Sequence, residues 1–146
     1  MKKLVVVAGF LLAAAVSNAY PSEKVSPKVL ASFKQEFSNA KEVEWETGSN
    51  YFKATFSMNE QRVFAYYDID GNLTSVARYI SSVQLPINLF SDLKNDYSKY
   101  WISDLFEVDN NEGLHYFITL ETADAKLILR SSNGGDWSTY SKNKKV

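Results

Sequence analysis

The sequence predicts an α+β fold of two tandem units, each a helical segment packed on a four-stranded antiparallel sheet. Three observations carry this expectation. A short helical stripe is followed by alternating segments separated by turn residues, and that order occurs twice. A shift of 64 positions lays apolar residues on apolar residues for more than twenty residues without a gap. The length of 146 residues, with 45% hydrophobic and 23% charged content, suits one ordinary domain or two very small ones.

The first segment stands apart from this pattern. Lys2 and Lys3 precede an apolar run over residues 4–16, followed by Ser17, Asn18 and Ala19. A basic start, a short apolar stretch and small residues before the cut predict a secretory signal over 1–19, cleaved after Ala19. The 13-residue run falls short of the ~20 residues a membrane-spanning helix needs. No cysteine follows it, which excludes lipidation as a bacterial lipoprotein. The expected location is periplasmic or secreted, with no stable membrane anchor after cleavage. The remaining 127 residues carry 14 basic and 17 acidic side chains, a formal charge of −3. That balance argues against nucleic acid, whose binding rests on many Lys/Arg–phosphate contacts. Without cysteine there is no disulfide, thiolate zinc site or cysteine nucleophile, and one histidine leaves little for metal or triad chemistry. No cofactor is expected.

After a polar leader over residues 20–25, the first unit is expected over 26–82. Ser26 and Pro27 form a helix start, an N-cap followed by proline at the first helical position. Val29, Leu30, Phe33 and Phe37 recur at helical spacing, and the helix is expected to stop near Ser38 and Asn39. Strict alternation then predicts strands over 42–46, 51–57, 62–68 and from 72 towards 79. Gly71, in the Asp70-Gly71 pair, suits a tight hairpin. The second unit is expected over 83–141. Phe90, Leu93, Tyr97 and Tyr100 form its helical stripe after Pro86, and strands are expected over 102–108, 115–121, 126–130 and 136–140. Lys142, Lys144 and Lys145 fall in a solvated tail over 142–146. In the 64-residue register Phe52, Ala54 and Phe56 match Tyr116, Ile118 and Leu120, and Val63 and Ala65 match Leu127 and Leu129. This pattern reads as an internal duplication. Units so small bury little surface alone, so a shared sheet or interface between them is expected.

The run SPKVLASFKQEFSNAKEVEWE, then YFKATF, VFAYYDIDGNL and an LP before a helix with a late Tyr97, resembles the β-lactamase-inhibitor-like, PepSY-like family of exported bacterial proteins. The resemblance covers nearly the whole mature chain and rests on structural motifs: a helix stripe, a V-x-W strand and a D-x-D-G turn. It implies two tandem units of a helical segment on a four-stranded sheet. In the inhibitors that lend the name, the two sheets form a concave face that grips an enzyme. Those inhibitors carry disulfides, which this chain lacks.

Chemical sites are sparse. A calcium loop begun at Asp68 requires Gly at its sixth position and Glu at its twelfth, where Leu73 and Tyr79 stand. Asp68, Asp70 and Gly71 read instead as hairpin geometry, and no metal site is expected. His115 reads as a surface or edge-strand residue, since no serine lies in a nucleophile motif. Glu42, Glu44 and Glu46 read as one wet strand face that discourages strand addition.

The aromatics are more informative. The register puts Phe52, Ala54 and Phe56 towards the helix, and Tyr51 and Lys53 away from it. On the matching strands Phe64, Tyr66, Phe117, Ile128 and Arg130 also point away. Leaving a Phe wet forfeits about 1.5–3 kcal/mol of burial, so something is expected to cover this face. Tyr, Phe and Arg are enriched at interface centres. The sequence therefore predicts a non-enzymatic exported binding module that recognises a protein or peptide through Tyr51, Lys53, Phe64, Tyr66, Phe117, Ile128 and Arg130. The rival cover is a homodimer through the same face. A small-ligand carrier with an apolar pocket between helix and sheet is the alternative function, and a hydrolase built on Asp, Glu and Ser ranks below both.

Overall fold

The structure, a computed structural model, describes residues 24–145; the signal expected over 1–19 and its cleavage point lie outside the described residues. Helix α1 (Pro27–Glu36) starts where Ser26 Oγ accepts from the Val29 N–H at 3.3 Å. It stops where the Phe37 N–H turns back to the Phe33 carbonyl at 2.8 Å. Four strands follow: β1 (Lys41–Thr47), β2 (Tyr51–Met58), β3 (Gln61–Asp68) and β4 (Leu73–Tyr79). After a 3-10 turn (Ser82–Gln84) come α2 (Ile87–Asp96), β5 (Trp101–Asn110), β6 (Gly113–Glu121), β7 (Ala125–Ser132) and β8 (Ser138–Lys144).

The strands pair antiparallel in the order β1 to β8, so the architecture is one eight-stranded sheet with two short helices. This corrects the expected fold class: the chain is mostly β and not two tandem helix-on-four-strand units. The join is β4 with β5, where Ser75 faces Asn110, Ala77 faces Val108 and Tyr79 faces Phe106. The Ile80 N–H extends it to the Leu105 carbonyl at 3.1 Å. Two separate sheets would each leave an edge strand's backbone groups unpaired at this point; joining satisfies both edges at once. Arg78 and Glu107 add an ion pair of 2.7 Å across the join, and Gln61 accepts from Arg78 at 3.0 Å.

Cross-strand partners share a face, and the row Val63, Arg78, Glu107, Tyr116 runs from the first core into the second. Both helices therefore cover the same face. Val29 and Phe33 of α1 pack with Val25, Trp45, Phe56, Ala65 and Tyr67; Leu89 and Leu93 of α2 pack with Leu105, Ile118, Leu120 and Leu129. The α2 stripe is turned by one residue from the expected one. Leu89 is fully buried, while Phe90, Tyr97 and Tyr100 pack partly buried at its margin.

Two strand details differ from expectation. Glu42 has φ 54° and lies in a bulge between Lys41 and Glu44, so Glu42 leaves the row and only Glu44 and Glu46 keep it. The C-terminal lysines are exposed, as expected of a solvated segment, but they lie in a strand: Lys142 pairs opposite Leu127 and Lys144 opposite Ala125 in β8. Lys145 continues the contact, with its N–H on the Asp124 carbonyl and its Nζ 3.0 Å from Glu121. A lysine-rich sequence lacks the alternation of a buried strand, yet it suits an edge strand that must resist pairing with other chains.

The Asp68 hairpin has the geometry expected of it. Asp68 Oδ1 accepts from the Asp70 and Asn72 N–H groups at 2.9 Å, and Oδ2 accepts from Asn72 Nδ2 at 3.1 Å. These bonds hold its carboxyl below the usual range. Gly71 takes φ 89°, and a Cβ there would stand 3.1 Å from Lys28 on α1. The turn thus fits only glycine without displacing the helix.

Candidate functional site

The face opposite the helices carries its own cluster: Phe64, Tyr66, Ala77, Phe106, Val108 and Phe117 are buried, with Tyr51 and Tyr140 packed against them. Strand alternation places these residues. In β3, Val63, Ala65 and Tyr67 face α1, so Phe64 and Tyr66 project the other way. In β6, Tyr116, Ile118 and Leu120 face α2, which leaves His115, Phe117 and Thr119 on the helix-free side.

All seven sequence-predicted residues fall on this face. Their exposure differs from expectation: Phe64, Tyr66 and Lys53 are buried, and Phe117 is 1% exposed. The rings stack across the strands. Tyr51 lies 5.9 Å from Tyr66, Phe64 5.6 Å from Tyr79, Tyr79 4.1 Å from Phe106, and Phe117 5.5 Å from Tyr140. Burial, then the nearby Tyr51, Glu46 and Tyr79, hold the Tyr66 phenol protonated far above its ordinary range. The accessible part is a rim of partly buried side chains, Tyr51, Ile128, Arg130 and Tyr140, together with Tyr79 at 38% exposure.

Two cations sit among the rings in unlike settings. Lys53, 5% exposed, places Nζ 5.2 Å from the Phe64 ring centre and 5.9 Å from that of Tyr66, and 3.5 Å from the Glu46 carboxylate. Arg130 lies 5.9 Å from the Phe117 ring centre and donates through Nη2 to His115 Nδ1 at 3.3 Å.

His115 corrects the sequence reading most sharply. It is neither superficial nor on an edge, but 2% exposed on the interior strand β6. A guanidinium only donates, so Nδ1 accepts from it, and Ser132 Oγ lies 3.1 Å from the same nitrogen. Nε2 then carries the proton and donates to Asn110 Oδ1 at 3.2 Å. Burial first, then Arg130, lowers the imidazole pKa below its usual value, against weaker pulls from Glu112 and Asp109.

That shift sets a sign. The unfolded chain takes up a proton near pH ~6.5, while the folded imidazole resists it. Stability is therefore full above about pH 6.5 and falls as the pH drops from there to the folded pKa, by at most about 1.4 kcal/mol per pH unit. Urea unfolding of wild type and His115→Gln should give stability–pH curves whose difference changes across this interval; a constant difference would rule out the linkage.

Sequence reasoning also missed Tyr79, Phe106 and Tyr140. Tyr79 and Phe106 gain their meaning only from the β4–β5 pairing, and Tyr140 from the bulge that adjusts β8. The other face carries a concavity. A cleft of about 390 Å³ is lined by Phe90, Leu93, Lys94, Tyr97, Tyr100 and Ile102 among others, between α2 and β5. Among the described residues, no group of three or more His, Asp or Glu is placed to hold a metal ion, and no helix is long and apolar enough to cross a membrane.

No family model and no curated protein matches the chain. Its fold is shared with solved structures. A BLIP-like (β-lactamase-inhibitor-like) protein from Bacteroides fragilis matches 82% of this chain and 85% of its own, with TM-score 0.68 and 19% identity. A DUF2874 family protein from Bacteroides ovatus matches 81% and 86%, with TM-score 0.71 and 17% identity. A candidate periplasmic protein from Bacteroides eggerthii matches 82% and 88%, with TM-score 0.72 and 14% identity. At these identities the likeness is one of fold.

Proposed function

We propose that this chain is an exported, non-enzymatic binding module that recognises a protein or peptide through the helix-free face of its sheet. The observation that carries the reading is the rim of Tyr51, Tyr79, Ile128, Arg130 and Tyr140 set on a buried aromatic floor. Rigid aromatic anchors and an arginine on a preformed sheet lose little entropy on binding. The BLIP-like and candidate periplasmic neighbours support a binding role and a periplasmic or secreted location. The signal pattern over residues 1–19 supports export.

A photo-reactive phenylalanine analogue placed at Tyr79 or Ile128 tests this in cells. The expected result is one discrete protein adduct from these positions and none from Ile87, which is exposed on α2. Equal labelling from all three positions, or none from the sheet face, overturns the reading. A self-adduct of twice the chain mass would identify the occupant as a second copy.

A specific observation favours a second reading, a small-ligand carrier using the cleft beside α2. Its lining joins three aromatic rings to one cation, Lys94, whose Nζ lies 4.9 Å from the Phe90 ring centre.

A further inference from the structure

We propose that Arg130, held in place by His115, receives a carboxylate side chain of the bound protein or peptide. This deepens the reading that the helix-free face is the binding surface and rests on it. The Arg130 Nε is buried and has no hydrogen-bond partner. No carboxylate of the described residues lies within ion-pair distance of its guanidinium, in contrast to Lys53 with Glu46, Arg78 with Glu107 and Lys145 with Glu121. A buried charged donor left without an acceptor is costly, and folding here leaves that cost standing.

The neighbours do not neutralise the charge. His115 faces Arg130 with an uncharged Nδ1, and its tautomer is set by Asn110 Oδ1, which also accepts from the Glu112 N–H at 2.8 Å. The imidazole orients the guanidinium and supplies no counter-charge. Phe117 lies against the guanidinium, Ile128 shares its face two positions earlier on β7, and Tyr140 of β8 packs edge-on against the Phe117 ring at 5.5 Å. An anion entering there meets a preset donor fork in a weakly polar setting, where a charge-assisted hydrogen bond is strong. One guanidinium matches one monoanion. The chemistry that fits is an Asp or Glu side chain flanked by apolar residues that cover the rings.

Selection of random displayed peptides on the whole chain tests this without knowledge of the natural partner. Binders are expected to be rich in Asp or Glu beside aromatic or aliphatic residues. For one such peptide, synthesis with the acid and with its amide counterpart completes a double-mutant cycle against Arg130→Gln. Removing either partner should weaken binding about tenfold, and removing the second should add less than about twofold. If Arg130→Gln does not fold, Arg130→Lys, which keeps the charge but loses the fork, replaces it in the cycle and should weaken the acid peptide only. Peptides that lose binding with Tyr79→Lys, yet show independent effects of the acid and Arg130, overturn the carboxylate assignment and leave the binding face standing. Binders indifferent to Tyr79→Lys, or no binders at all, overturn both. A phosphoserine peptide that binds far more tightly than its acidic counterpart overturns the choice of carboxylate.

Discussion

Phe56→Ala is expected to lower stability by about 3–5 kcal/mol, the range for removing a buried Phe side chain from a packed core. Phe56 is buried in β2 beneath α1. Its ring centre lies 5.1 Å from that of Phe33, edge to face, and 4.8 Å from that of Phe37. Phe33 in turn stands edge-on to Trp45 at 5.1 Å. Truncation opens a cavity bordered by rigid rings that cannot collapse into it. Single domains hold only about 5–15 kcal/mol in all, so the variant sits near the edge of folding. Urea unfolding followed by circular dichroism measures the loss; a loss under about 1 kcal/mol would show that α1 repacks freely on the sheet.

Phe106→Ala should cost about 3–5 kcal/mol for a different reason. Phe106 belongs to β5, pairs with Tyr79 of β4 and with Phe117 of β6, and stacks 4.1 Å from the Tyr79 ring. It therefore packs the strand pair that makes one sheet of the two halves. Trp45 is buried in the core under α1, and Trp137 donates to the Leu89 carbonyl at 3.1 Å in the core under α2. Variants keeping only one of these tryptophans report each half by fluorescence. With Phe106→Ala both reporters should shift to lower denaturant together, as one cooperative transition. Separate midpoints would show that the halves unfold independently in spite of their shared strand pairing.

Much of the strand layout was legible because alternation is a local signal. Phe52, Ala54 and Phe56 against Lys53, or Val63 and Ala65 against Phe64 and Tyr66, declare their faces within a few residues. The parity of each strand was enough to place the seven candidate residues on one side of the sheet. A shared sheet was expected from the small size of the units, but the register of β4 on β5 was not legible, since α2 separates those strands and no turn sequence encodes it. The same gap concealed His115. Its partners Asn110 and Ser132 are the last residues of β5 and β7, and only the pairing of both strands with β6 brings them to one imidazole. The missing counter-ion of Arg130 could not be read either. A sequence with balanced charges says nothing about which cation goes without an acid. Leu89 was missed because Phe90 begins an equally regular stripe one position away, and the choice between them depends on how α2 meets the sheet.

The sequential strand order has a consequence for how the molecule comes into being. Every strand lies beside its neighbour in the chain, so each hairpin can add to the strand already in place. The growing edge is always the last strand made, and no early segment waits for a distant one before its backbone is satisfied. Loop closures between consecutive strands stay short, apart from the step over α2, which keeps the entropic barrier of each addition low. A chain emerging amino end first can therefore begin to fold while its remainder is still to follow. Among the described strands β8 comes last, and its lysines give an edge that resists pairing with other strands.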